Sequence, residues 1–540
     1  MATSVSSCKS SNPFSAHCAG WWIILSIGCL LSQSAWSQST NRTPITTPDE
    51  LKARITEHIS EPRFAPAMWG IKVVSLDTGL TLFETNAGKL LKPASNAKLF
   101  TGALALDRLG PDYRIKTSLY STAKPDRKGV LHGDLVVYGR GDPSFAARFN
   151  DGDHSKSLAP LVDAITTAGV KRIKGDLVGD ESYFRGPPLG SSWTWNDLQY
   201  YYGAEVSALT QEDNVVDVVF KPGPVAGATC LVETKPLTDF LTFINRSKTI
   251  EAEGGREIQL HRPPGQNTVH VSGQLPLGTT NWNDAVAVHD PARWFVMRLK
   301  EELNRNGIRV SGKLRTMDWQ ERQTKPADHS KLFELASVES RPLNEIVTKM
   351  MKPSQNLYAQ LLLLQVGAVV EGGKQKPEET SDGSEDGSRT TEDLGIAELK
   401  TFVGEAGINK GEVLFDEGSG LSRRALVTPN AIVQLLTFMS RHRHADAFRA
   451  ALPIAGVDGT LRSRMRGTVA ERNVTAKTGT IGYVFTLSGY LNTIGSEELA
   501  FSILLNNYDA GSNIAREDVD AIALMLAEFR GRSKGTTVTY

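Results

Sequence analysis

Ser95 and Lys98 open an apolar run that ends at Gly110-Pro111. On a helix, positions i and i+3 share a face, so the Lys98 amine reaches the Ser95 hydroxyl. Burial among apolar side chains disfavours an ammonium and lowers a lysine pKa. A neutral amine beside a serine is a general base, and the serine becomes a nucleophile. The start of the helix also favours an oxyanion at Ser95. The spacing alone is common. Ser6 and Lys9, and Ser121 and Lys124, repeat it, and each pair on its own reads as polar surface.

Two later motifs single out Ser95. Ser354-Gln355-Asn356 falls between two helical stretches. A hydroxyl there passes a proton to a leaving amine, and an amide holds an acyl carbonyl. Lys477-Thr478-Gly479-Thr480 comes just before a strong strand pattern. Its glycine allows close approach of a ligand to the backbone. Lys477, Thr478 and Thr480 offer donors to a carboxylate, and the Thr480 N–H would complete an oxyanion hole with that of Ser95. Each motif alone also fits a helix cap or a polar turn. In this order, the three are shared by penicillin-binding proteins and class A β-lactamases.

The elements that must position these residues follow from periodicity. A helix is expected over Asp49–Ile59, then strands Met68–Leu76 and Leu80–Glu84 around an Asp-Thr-Gly turn, and a buried helix Ser95–Leu109. From 116 to 332 short alternating segments dominate: 133–138, 215–220, 268–274 and 310–314, with helices at 158–168 and 291–306. This reads as a β-rich insertion. Helical pattern returns at 341–370, and Thr428-Pro429 caps another helix. Strands at 483–491 and 499–505 and a helix at 516–530 close the chain. Segments 45–115 and 333–540 therefore make one α/β (α+β) domain, interrupted by 116–332. The acidic, low-complexity stretch 371–393 reads as a mobile surface loop.

The first residues read as an export signal. Trp21–Leu31 is too short to span a bilayer, and Ala35-Trp36-Ser37 supplies a cleavage site, giving a signal peptide over 1–37. Of the four cysteines only Cys230 lies beyond it, so no internal disulfide is expected. Lys+Arg and Asp+Glu both count 60, which leaves no electrostatic footprint for nucleic acid. No HExxH occurs, and no metal or other cofactor is expected.

Further segments carry a resemblance. They are Gly139-Arg140-Gly141-Asp142-Pro143, Trp195-Asn196-Asp197-Leu198 with Tyr201-Tyr202-Gly203-Ala204, Gly418-Ser419-Gly420-Leu421-Ser422-Arg423 and Ala455–Leu461. With the long gap between Ser95 and Ser354, the mature chain resembles the D-alanyl-D-alanine carboxypeptidase/endopeptidases among the class C low-molecular-mass penicillin-binding proteins, peptidase family S13. The resemblance implies a serine β-lactamase/transpeptidase-like domain, an antiparallel sheet flanked by helices, with nested domains II and III. It implies an acyl-enzyme on Ser95, peptidoglycan stem peptides as substrates, β-lactams as covalent inhibitors, and a periplasmic or cell-envelope location. It also implies that Asp197, Tyr202 and Arg423 face the cleft and suit a zwitterionic, diaminopimelate-like end. Gln355, Glu417 and the acidic stretch depart from the family pattern.

Three rival readings share some of these features. A β-lactamase on the same fold would need an efficient deacylating base, and no motif supplies one. An inactive envelope scaffold would have no reason to keep Ser95, Lys98, Ser354, Asn356 and Lys477 together. A Ser-His-Asp hydrolase is disfavoured on the expectation that the chain holds no Gly-x-Ser-x-Gly.

Overall fold

Five antiparallel strands form the central sheet, in the order Thr81–Thr85, Met68–Ser75, Glu498–Asn506, Val484–Asn492 and Thr475–Ile481. The computed structural model describes residues 43–324, 332–373 and 389–533. The two ends of the chain meet where Met68 pairs with Asn506 and Ser75 with Leu499. The Glu498–Asn506 strand lacks alternation because both its faces are covered. Leu499, Phe501, Ile503 and Leu505 enter one core, and Ala500 and Leu504 the other. Helices Pro48–Ile59 and Ser512–Glu528 cover the first face through Leu51, Ile55, Ile522 and Leu526. Thr47 and Glu50 close a capping box at the start of the former.

The second face carries the catalytic elements. Helix Ala97–Leu109 is buried at every position from Ala97 to Leu106, as its apolar sequence requires. It packs on helices Leu343–Met351 and Asn356–Gly373. Helix Pro429–Ser440, capped by Thr428, completes the layer. Ser95 itself is not α-helical. It sits in a 3-10 turn, Ala94–Asn96, that feeds the helix.

Residues between Lys116 and Glu339 build two further cores. A five-stranded sheet runs Leu314–Met317, Leu177–Asp180, Leu135–Tyr138, Lys116–Ser121, Phe333–Glu339, with helices Ala159–Thr167 and Pro291–Arg305 packed on it. The other core lies around Val216, Val218, Phe220, Cys230 and Trp294 and brings together two smaller sheets. Several expectations are corrected. The strand expected at 310–314 is two strands, Arg309–Val310 and Leu314–Met317, in different sheets. Phe333–Glu339 pairs with Lys116–Ser121, so the segment 333–540 begins with a strand of the insertion's sheet. The 371–393 stretch is not a loop throughout. Glu371 to Gly373 continue a helix, and Thr391 to Asp393 begin another, capped by Thr390. Residues 374 to 388, and the segment 1–37 expected to be a signal peptide, lie outside the described residues.

Candidate active site

The three motifs converge at the edge of the central sheet. Lys477 to Thr480 lie within the edge strand Thr475–Ile481 rather than before one. This strand presses against the nucleophile turn. A Cβ on Gly479 would lie 2.8 Å from Pro93 O and 2.9 Å from Ser95 N, so only glycine permits the approach. On the other side, Gly420 (φ +79°) would place a Cβ 1.9 Å from Ala94 O. Ser95 is thus wedged between a strand and a glycine-rich loop.

Lys98 is fully buried, and its Nζ has three neighbours. They are Ser95 Oγ at 2.9 Å, Asn356 Oδ1 at 2.5 Å and Ser419 O at 2.7 Å. The Asn356 amide is oriented by its own Nδ2, which donates to Tyr202 O at 2.8 Å. Two of the three neighbours are carbonyl oxygens, which only accept. They take the two hydrogens of a neutral amine, and its lone pair is left facing Ser95, the one neighbour with a proton to give. Burial pushes the Lys98 pKa down to about 7, and the negative charge of Glu417 opposes the shift.

Ser354 occupies the left-handed region (φ +65°) between helices Leu343–Met351 and Asn356–Gly373. Lys477 Nζ donates to Ser354 Oγ at 2.8 Å and to Thr478 O at 2.7 Å. Burial holds the Lys477 pKa well below its usual value, and the nearby Lys98 charge adds to this. Gln355 is buried and its Oε1 accepts from Leu357 N, so it faces away from the site.

A cavity of about 1530 Å³ opens over these groups, lined by Ser95, Ser354, Asn356, Thr478 and Thr480. Lys98, Lys477 and Gly479 lie behind its wall. The Lys477 amine is taken up by Ser354 Oγ and Thr478 O, while Thr478 and Thr480 line the cavity. Asp197, Tyr202 and Arg423 also line the cavity. Asp197 and Arg423 form a two-pronged ion pair at 2.9 and 3.1 Å. Asp197 Oδ2 also accepts from Thr194 N and Oγ1, at 3.1 and 2.6 Å. Tyr202 stacks on Tyr200 (5.3 Å, 16°), and burial raises its hydroxyl pKa above the ordinary phenol value.

Residues 51–529 match the family model of the D-Ala-D-Ala carboxypeptidase 3 (S13) family. The chain belongs to that family. It is 33% identical over 498 residues to a D-alanyl-D-alanine carboxypeptidase of Actinomadura sp. (strain R39), covering 89% of this chain and 85% of the relative. It is 26% identical to D-alanyl-D-alanine carboxypeptidase DacB of Haemophilus influenzae, covering 82% and 86%. Among solved structures, penicillin binding protein 4 (dacB) from H. influenzae superposes with a TM-score of 0.70 at 24% identity, over 87% of this chain and 98% of that one. The same protein has been solved with a bound β-lactam. The fold expected from the sequence, a transpeptidase-like sheet and helices with inserted β-rich units, is the fold observed.

Within this S13 framework, two residues without an assigned role become visible. Glu417, fully buried, accepts from the N–H groups of Ser419, Gly420 and Ser422 at 2.7, 2.6 and 3.3 Å, and from Ser419 Oγ at 2.6 Å. It fixes the loop whose Ser419 carbonyl receives Lys98. Thr460 Oγ1 accepts from Thr478 Oγ1 at 2.7 Å and ties the Ala455–Leu461 segment to the edge strand. Thr460 was marked only by membership of a Gly-rich segment, and Glu417 by its departure from the family pattern. Against expectation, one Gly-x-Ser-x-Gly string does occur, at 531–535; its Ser533 follows the terminal helix and donates its N–H to Glu497 Oε2 at 2.9 Å, while 534 and 535 lie outside the described residues.

Proposed function

We propose that this S13 member cleaves D-alanyl peptide bonds of peptidoglycan stem peptides through an acyl-enzyme on Ser95. The observation that carries the reading is the fully buried Lys98 amine, 2.9 Å from Ser95 Oγ, with Asn356 Oδ1 and Ser419 O as its other two neighbours. Lys98 removes the Ser95 proton as Oγ attacks the D-alanyl carbonyl. The negative charge formed on the carbonyl oxygen is met by the N–H groups of Ser95 and Thr480. Ser354 Oγ, held by Lys477, passes its proton to the departing amine as the C–N bond breaks, and the proton that Lys98 took from Ser95 replaces it. Water then attacks the ester, one of its protons going to Ser95 Oγ as the acyl–oxygen bond breaks and the product acid leaves. Thr478 and Thr480 hold the substrate's terminal carboxylate. Asp197, Tyr202 and Arg423 receive the zwitterionic end of the acyl arm.

A β-lactam reacts by the same attack, but its amine stays tethered, so the acyl-enzyme persists. The H. influenzae relative's β-lactam complex supports this reading. The segment 1–37 directs export, which places the enzyme in the periplasm or cell envelope, where its substrate lies. Incubation with penicillin followed by intact-mass measurement should show one adduct, absent in Ser95→Ala. An adduct that survives the substitution would move the nucleophile elsewhere.

A further inference from the structure

The catalytic cavity continues past Thr478 along a wall that the mechanism above does not use. The turn at Thr460 leads into Arg462, Arg464 and Arg466, and the terminal helix adds Arg516; all four line the cavity. Arg464 is already engaged: Nε and Nη2 both donate to Asp520, at 2.9 and 2.5 Å. Arg462 and Arg466 are exposed and have no carboxylate partner among the described residues. Arg516 is half-buried and makes no hydrogen bond or ion pair among the described residues. Withdrawing a guanidinium from water is costly: burial and the neighbouring Arg464 charge lower the Arg516 pKa, and the Asp520 carboxylate, already held by Arg464, only partly opposes them. Asp509 and Glu517 line the same stretch, but both are exposed at its rim, where water screens them.

The position of this wall decides its role. Asp197, Tyr202 and Arg423 reach Ser95 through Asn356 and the Gly418–Arg423 loop, on the side of the acyl arm. The arginine wall reaches it through Thr460 and Thr478, beside the Ser354–Lys477 pair that serves the departing amine. The volume of 1530 Å³ exceeds the range of about 300–1,000 Å³ usual for a single small ligand. Building on the proposed acyl-enzyme chemistry, we infer that the Arg462–Arg516 wall is a leaving-group subsite that selects departing D-amino residues bearing a second carboxylate. Arg516 anchors that carboxylate. The subsite favours cleavage of acidic, branched peptides, an endopeptidase bias, over release of D-alanine alone.

The test uses two peptides with a common acyl arm. In one the leaving residue is D-2-aminopimelate; in the other its ω-carboxylate is amidated. The full-length enzyme should turn over the acid with kcat/KM about tenfold above the amide, the size expected for one incompletely desolvated charge pair. Arg516→Gln should remove this preference and Arg516→Lys should restore part of it. Arg462→Gln, at an exposed position, should shrink it. Release of D-alanine and acylation by penicillin should not change in any of them. Equal turnover of acid and amide by the wild-type enzyme would overturn the inference, as would an Arg516→Gln enzyme that keeps the preference. Loss of penicillin acylation in the wild-type enzyme would instead strike at the catalytic reading of Ser95 and Lys98.

Discussion

The pH dependence of acylation tests the catalytic reading most directly. Lys98 must be neutral to take the Ser95 proton. With a pKa of about 7 against the ordinary 10.5, about half of the lysine is neutral at pH 7, where an exposed lysine would be neutral about once in 3,000 molecules. Below the folded-state pKa the amine is protonated and the base is lost; above it the base is fully present. The rate therefore rises with pH. The neutral fraction grows from about 1% at pH 5 to nearly all at pH 8.5, so acylation should accelerate roughly a hundredfold and then level off. Charges near Lys98 act in opposite senses: Glu417 raises its pKa, and burial outweighs it. The assay is the pseudo-first-order rate of penicillin adduct formation, quenched and weighed by mass spectrometry, with circular dichroism confirming the fold at each pH. Lys98→Arg keeps a cation but never supplies a neutral base, and should lose the reaction across the whole range. A flat profile, a midpoint above pH 9, or an active Lys98→Arg enzyme would refute the role given to Lys98.

Glu417→Gln should shift the acid limb of that profile to lower pH, since an anion that favours the Lys98 ammonium is gone; it should also lower Tm, because Gln cannot accept all the N–H groups of the Ser419 loop. A limb that stays in place would confine Glu417 to loop structure. Lys477→Ala should slow penicillin acylation and D-alanyl hydrolysis alike, by roughly a hundredfold or more, because Ser354 loses the amine that holds it. A substrate amidated at its terminal carboxylate should lose as much in this variant, since Lys477 lies behind the cavity wall; a loss confined to carboxylate substrates would contradict that. Asp197→Ala should lower kcat/KM for diaminopimelate-ended peptides by roughly a hundredfold. It should leave a simple thioester or a penicillin nearly unchanged, and an equal loss on both would make the Asp197–Arg423 pair purely structural.

Much of the site was legible because its chemistry is local. Ser95 and Lys98 depend on a single helical turn, and the burial of that turn shows in an apolar sequence from Ala97 to Leu106. The order of the three motifs carried the rest. What escaped depends on contacts between segments far apart in the chain. The Gly479 backbone against Ser95 N, the Ser419 carbonyl on Lys98 and the burial of Lys477 arise only when strand, loop and helix meet. For that reason the bond from Lys477 to Ser354 and the hold of Glu417 on the Ser419 loop carried no mark in the sequence. Similarly, 310–314 looked like one strand because alternation over five residues does not reveal a change of sheet. The paired state of Asp197 and Arg423 was invisible for the same reason: charges more than two hundred residues apart carry no mark of their partnership.

The seam between Met68–Ser75 and Glu498–Asn506 has a consequence for how the enzyme comes into being. The strand that follows the first helix has a single neighbour, Thr81–Thr85, until the far end of the chain arrives. Contacts of such long sequence separation form late, because the whole intervening chain must be closed as a loop. The units between Lys116 and Glu339 have their own cores and need not wait. During synthesis, Ser95 and Lys98 therefore emerge early but stay unassembled, with no edge strand beside them and no Ser419 carbonyl to orient the amine. A chain cut anywhere between Lys98 and Thr475 carries the nucleophile yet lacks Lys477, Thr478 and Thr480. Unfinished or clipped copies are inert, and hydrolytic capacity against the wall appears only in molecules that have been made to their last strands.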